Sequence, residues 1–168
     1  AEVFRNSQNR IRSMALVHEK LYQSKDIAKI EMLEYIRGLV RELVQAHDIS
    51  RRKVAVIVEG DGAFMDVDTI IPCGLIITEL VTNSLKYAFE GVKNPEIRIS
   101  LRTGNGVAAI SVGDNGPGLS PDFDYSDSKS LGCQIVHTLV RQLKGTMEFD
   151  KGGVGAVCRV SFKWPRTN

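Results

Sequence analysis

Glu79-Leu80-Val81-Thr82-Asn83-Ser84-Leu85-Lys86-Tyr87 is the stretch from which the rest of the chain is best read. Leu75, Ile76, Leu80 and Val81 fall on rows that must face a core, at the spacing of an α-helix. Glu79, Asn83 and Lys86, stepped by four and three, share another face. A carboxylate, a carboxamide and an ammonium grouped in this way suit a metal–phosphate complex. The amide oxygen can ligate a hard cation such as Mg²⁺, the lysine can meet a phosphate, and the carboxylate can accept a proton. The same row also suits an ordinary solvated helix face. The helix is expected over residues 68–89, capped by Asp68 or Thr69, with Pro72 in a first turn that tolerates its missing N–H.

Toward the N-terminus, Val54, Val56 and Val58 alternate with Ala55, Ile57 and Glu59 and predict a strand that Gly60-Asp61-Gly62 ends. Before it, Ile36, Leu39, Val40 and Leu43 predict a helix over 33–47, preceded by a short extended piece over 28–31. Residues 4–23 carry a further helical stripe of Ile11, Met14, Ala15, His18, Leu21 and Tyr22. On the C-terminal side, two β-rich runs over 96–102 and 107–113 flank Asn105-Gly106, a strong hairpin signal. Residues 114–130 have no clear period and lead into a helix over 131–143; strands over 146–150 and 156–163 follow, joined at Gly152-Gly153. Helices on one side of a mostly antiparallel sheet define an α/β protein, a two-layer α/β sandwich.

Composition bounds the function. The 168 residues are 43% hydrophobic and 25% charged, which is globular and not disordered. Lys and Arg number 22 against 20 Asp and Glu; the net charge of +2 marks no nucleic-acid partner and no direct membrane contact. No apolar run is long enough for a membrane span. Cys73, Cys133 and Cys158 form neither a disulfide framework nor a metal motif, so a reducing, cytoplasmic setting is expected. Ala1 opens directly inside a helical pattern, and the chain reads as a piece of something longer.

Two more patterns carry chemistry. Asp114-Asn115-Gly116-Pro117-Gly118-Leu119 follows a strand; its glycines let the backbone bend close to a flat ligand, and its aspartate can accept from an exocyclic amine. Read alone it is also ordinary turn chemistry. In Ser130-Leu131-Gly132-Cys133 a loop becomes a helix, whose first N–H groups and dipole favour an anion. Read alone it is equally a plain helix start capped by Ser130.

The order of the three patterns resembles that of the GHKL (Bergerat) ATPases, and more closely the histidine protein kinases. The resemblance covers residues 27–164. It implies that Asn83 ligates Mg, that Asp114 reads adenine with Gly116 and Gly118 beside it, and that Leu131 and Gly132 belong to the second glycine box. Lys86 and Tyr87 join the ATP-binding set, and Glu79 is the catalytic candidate, as base or as supporting partner. Gly153-Val154-Gly155-Ala156 resembles the terminal glycine-rich turn. The lid is short, over 120–130, and Phe123 makes no recognisable phenylalanine box; it is expected to move and to be ordered by nucleotide. The string Met14-Ala15-Leu16-Val17-His18-Glu19-Lys20-Leu21-Tyr22 resembles the second dimerisation helix of a subclass related to the HWE kinases.

The implied organisation is a remnant of a dimerisation domain over 1–26 and an ATP-binding catalytic domain over 27–168. The implied function is transfer of the ATP γ-phosphate to a histidine, for relay to an aspartate of a response regulator receiver domain, by a protein that is a homodimer at full length. His18 does not stand in an acceptor-like string and reads as a packing or interface residue; His47 reads as a helix-end residue and His137 as structural. The acceptor is then expected upstream, and this stretch alone is not expected to autophosphorylate. The alternatives are an anti-sigma-type GHKL serine kinase and a non-catalytic interaction module of the same fold.

Overall fold

Asn105 and Gly106 adopt φ of 51° and 75°, the left-handed pair that a two-residue type I′ hairpin turn needs. The computed structural model describes residues 8, 11, 15, 19, 30–47, 53–120, 122, 125, 130–150 and 153–165. In chain order the elements are Ile30–Glu31 (β1), Met32–Ala46 (α1), Ala55–Gly60 (β2), Phe64–Met65 (β3) and Val67–Tyr87 (α2). Glu96–Gly104 (β4), Val107–Asp114 (β5), Leu131–Gln142 (α3), Thr146–Asp150 (β6) and Val157–Lys163 (β7) complete them.

Five strands form one sheet in the order β2-β4-β5-β7-β6. Only β2 is parallel to its neighbour, β4; the remaining pairs are antiparallel. That parallel pair requires a crossover, and β3 with α2 supplies it. A separate two-stranded sheet pairs Ile30 with Met65 and Glu31 with Phe64. The sequence did not predict β3, because two residues are too few to carry a period.

Strict alternation gives the sheet two faces. Ile97, Ile99 and Leu101 on β4, Ala108, Ile110 and Val112 on β5, and Cys158, Val160 and Phe162 on β7 are buried beneath the helices. Burying a side chain of the Ile, Leu or Phe size stabilises by roughly 1.5–3 kcal/mol. The other face is polar: Arg98 pairs with Glu96 at 3.1 Å and with Glu59 at 3.6 Å, and Arg102 meets Glu59 at 3.7 Å. These pairs are largely exposed and contribute little.

The helix ends follow capping chemistry, with one correction. Asp66, not Asp68 or Thr69, caps α2: its side chain accepts from Thr69 N at 2.8 Å. Pro72 therefore lies in the second turn, inside the helix, and what it forgoes is an N–H bond to the Asp68 carbonyl. Ser130 caps α3 as expected, accepting from Cys133 N at 3.2 Å. His47 caps the end of α1, its Nδ1 lying 3.0 Å from the Leu43 carbonyl. Helices α1 and α2 approach closely where a Cβ at Gly74 would strike the Tyr35 hydroxyl.

Within the first expected helix, Gln8, Ile11, Ala15 and Glu19 are helical and exposed. Met14, His18, Leu21, Tyr22 and Phe123, as well as most of the expected lid, lie outside the described residues. All three cysteines are buried and form no disulfide. Among the described residues, no helix is long and apolar enough to cross a membrane.

Candidate functional site

The C-terminal half of α2, the end of β5 with its following turn, and the start of α3 converge on one cavity of about 510 Å³. Eight of the nine residues singled out in the sequence line it: Glu79, Asn83, Lys86, Tyr87, Asp114, Gly118, Leu131 and Gly132. The ninth, Gly116, does not. A Cβ there would meet the Ala88 backbone, so its contribution is close approach of the turn to the end of α2.

Asp114 is held by three hydrogen bonds to its carboxylate. Its Oδ2 accepts from Ser84 Oγ at 2.7 Å. Its Oδ1 accepts from Gly116 N at 3.0 Å and from Ala156 N at 3.3 Å. The backbone is tied as well, Asp114 N donating to the Ala156 carbonyl at 3.0 Å. That approach depends on Gly155, which has φ of 86° and whose missing Cβ would collide with the Asp114 carbonyl. The glycine-rich turn before β7 thus serves the aspartate directly.

The row Glu79, Asn83, Lys86 is not a solvated helix face. Glu79 is 6% exposed, and a Cβ at Gly132 would come within 2.8 Å of its Oε2. Its carboxylate therefore lies against the first turn of α3, where the helix dipole favours negative charge. Asn83 and Lys86 are half-buried, and Tyr87 stands 70% exposed at the rim. No cluster of three or more His, Cys, Asp and Glu side chains able to hold a metal occurs among the described residues. A hard cation here would rely on the amide oxygen of Asn83 and on ligands brought by a phosphate and water, which is how Mg²⁺ is commonly held.

The far wall is apolar and aromatic. Tyr125, 7% exposed, stacks on Phe149 with ring centroids 4.5 Å apart and 29° between planes. It lies 5.8 Å from the His137 ring. Burial first, and then the neighbouring Cys133 side chain, raise the Tyr125 phenol far above its ordinary value. Burial pushes the Cys158 thiol up to about 12. Both groups stay neutral near pH 7 and give a flat ring a wall without charge. The sequence reading missed Ser84, Tyr125, Phe149, Ala156 and Cys158 as parts of this cavity. Ser84 sat inside the opening motif, but its partner lies 30 residues away.

A helix-covered mixed sheet, with a cavity framed by an asparagine on one helix, a fixed aspartate after a strand and a glycine opening the next helix, is the architecture of a Bergerat-type ATP-binding domain. Residues 68–168 match the family described as histidine kinase-, DNA gyrase B- and HSP90-like ATPases, and residues 1–47 match the family described as histidine kinase. The chain belongs to the histidine kinase-, DNA gyrase B- and HSP90-like ATPases, as a histidine kinase catalytic domain.

Blue-light-activated histidine kinase 2 of Erythrobacter litoralis is 30% identical over 149 residues, covering 83% of this chain and 42% of that protein. The sensor histidine kinase PdtaS of Mycobacterium tuberculosis is 30% identical over 150 residues, 87% of this chain and 29% of that one. The chain thus spans less than half the length of these relatives. Among solved structures, the histidine kinase domain of the Erythrobacter litoralis EL346 blue-light activated kinase superposes with a TM-score of 0.83 at 22% identity, covering 94% of this chain and 74% of that one. Full-length ShkA in complex with AMPPNP gives a TM-score of 0.56 at 19% identity over 76% of this chain and 29% of that one.

Proposed function

We propose that the cavity binds Mg-ATP, and that within its parent protein this chain transfers the γ-phosphoryl group to a histidine for relay to a receiver-domain aspartate of a response regulator. The observation that carries the reading is the convergence of Asn83, Asp114 and Gly132, from three separate motifs, on one cavity. The AMPPNP complex of a structural neighbour supports it.

In this reading Asp114 accepts from the exocyclic amine of adenine, and the uncharged wall of Tyr125 and Phe149 lies beside the base. Asn83 would hold a magnesium ion through its amide oxygen, and the ion would supply positive charge beside the phosphates. Lys86 and the N-terminal turn of α3 offset the remaining phosphate charge. The incoming imidazole nitrogen forms a bond to the γ-phosphorus as the bond to the bridging oxygen breaks and ADP departs. Positioning and charge stabilisation supply most of the acceleration in such transfers. Glu79 orients the imidazole or takes its proton. Residues 1–26 belong to the dimerisation element of a full-length homodimer and 27–168 form the catalytic domain, with the acceptor histidine upstream.

Calorimetric titration of Mg-ATP and Mg-GTP into the chain, beside Asp114→Asn, tests the reading. Selective ATP binding, lost in the variant, is the expected result; absence of nucleotide binding would sink it and favour a non-catalytic module. The chain alone is expected to incorporate no γ-phosphate, and to phosphorylate an added upstream helix that carries the acceptor histidine.

A further inference from the structure

We infer that Ser84 is a positioning residue that sets which purine the cavity accepts, by leaving the Asp114 carboxylate a single acceptor direction with which to read a base. The inference rests on the nucleotide-binding reading above and deepens it.

An ionised carboxylate offers about four acceptor directions, two on each oxygen. Oδ1 of Asp114 spends both on backbone donors, Gly116 N at 3.0 Å and Ala156 N at 3.3 Å. Oδ2 spends one on Ser84 Oγ at 2.7 Å. One direction remains. Ser84 is 8% exposed and lines the cavity beside Asp114, but its only hydroxyl proton is committed to the carboxylate, so it has no donor to give a ligand.

A 6-aminopurine fits this arrangement, because it brings one exocyclic N–H to one open lone pair. The guanine edge carries adjacent N1–H and N2–H donors, and a carboxylate reads such a pair with both oxygens. Here Oδ1 is already occupied by backbone that cannot turn away without breaking the approach of Gly155 and Ala156. A hypoxanthine or guanine O6 would instead set a carbonyl lone pair against Oδ2. Removing the Ser84 hydroxyl opens a second direction on Oδ2 and releases one of three restraints on the carboxylate, and both changes relax the choice of base.

The test is titration of ATP, ITP and GTP, each with Mg²⁺, into the unaltered chain and into Ser84→Ala, Ser84→Cys and Ser84→Thr, with thermal unfolding of each. The ratio of ATP affinity to GTP and ITP affinity is expected to fall about tenfold in Ser84→Ala. Ser84→Cys, which keeps a weaker donor on the same unbranched side chain, should fall between, and Ser84→Thr should restore the ratio. A role confined to packing would weaken all three nucleotides together, and an unchanged ratio in Ser84→Ala and Ser84→Cys overturns the inference while the ATP site stands. Failure of the unaltered chain to bind any nucleotide overturns both.

Discussion

Strand β5 has two ends, and glycine does different work at each. At the hairpin end Gly106 has φ of 75°, and a Cβ there would meet nothing within 4 Å; the residue is present for its dihedral angle alone. At the cavity end a Cβ at Gly116 or Gly155 would strike backbone of another segment, so both are present for space, and Gly155 for its left-handed φ as well. The first requirement is local and the second is imposed by residues far along the chain. Conformational need thus stands alone at the hairpin end, whereas contact need arises only at the cavity end, where Gly155 carries both.

The sharpest way to break this distinction is Gly155→Ala, which combines a left-handed φ with a collision against the Asp114 carbonyl. Denaturant unfolding should show a loss of about 3 kcal/mol, with ATP binding abolished in whatever chain remains folded. Gly116→Ala comes next, a collision with the Ala88 backbone without the left-handed φ; about 2 kcal/mol is expected, again with weakened binding. Gly106→Ala should cost about 1 kcal/mol, the penalty of a side chain in the left-handed region, and leave ATP affinity unchanged. If Gly106→Ala weakened ATP binding as Gly155→Ala does, the two ends would not be distinct.

The smallest effect is one of pH. Cys158 pairs with Val112 near the cavity end, and burial moves its thiol from 9.0 to about 12. The folded state keeps the proton that the unfolded state gives up, so stability is full below pH 9 and declines as pH rises from 9 toward 12. At pH 9.5 the expected loss is about 0.8 kcal/mol, absent from Cys158→Ala. An equal decline in that variant would assign the effect to another group.

The same division separates what could be read in the sequence from what could not. The Asn105-Gly106 turn, the alternation on β4 and β5 and the Ser130 cap are local, and the sequence shows them. The choice of Asp66 over Asp68 as cap was not legible, because both residues offer the same acceptor and the chain path from β3 decides between them. The motif residues could be gathered into one site because each motif carries its own chemistry. Burial of Glu79 and the bond from Ser84 to Asp114 could not, since each depends on a contact between elements that no local period encodes. The close approach of Gly116 to the Ala88 backbone is likewise a contact between elements that the local turn pattern does not encode.

The tie between Asp114 and Ala156 also has a consequence in time. A ribosome that has delivered Ser84, Asp114 and Gly132 has not yet delivered a site, because Gly155 and Ala156 come just before the last strand and the acceptor geometry of Asp114 waits for them. During synthesis the hairpin of β4 and β5 can close early, whereas the aspartate at its far end acquires its final donors only when β7 docks. A chain halted before residue 155 would carry the three motifs of Asn83, Asp114 and Gly132 and still lack the fixed carboxylate that makes them one.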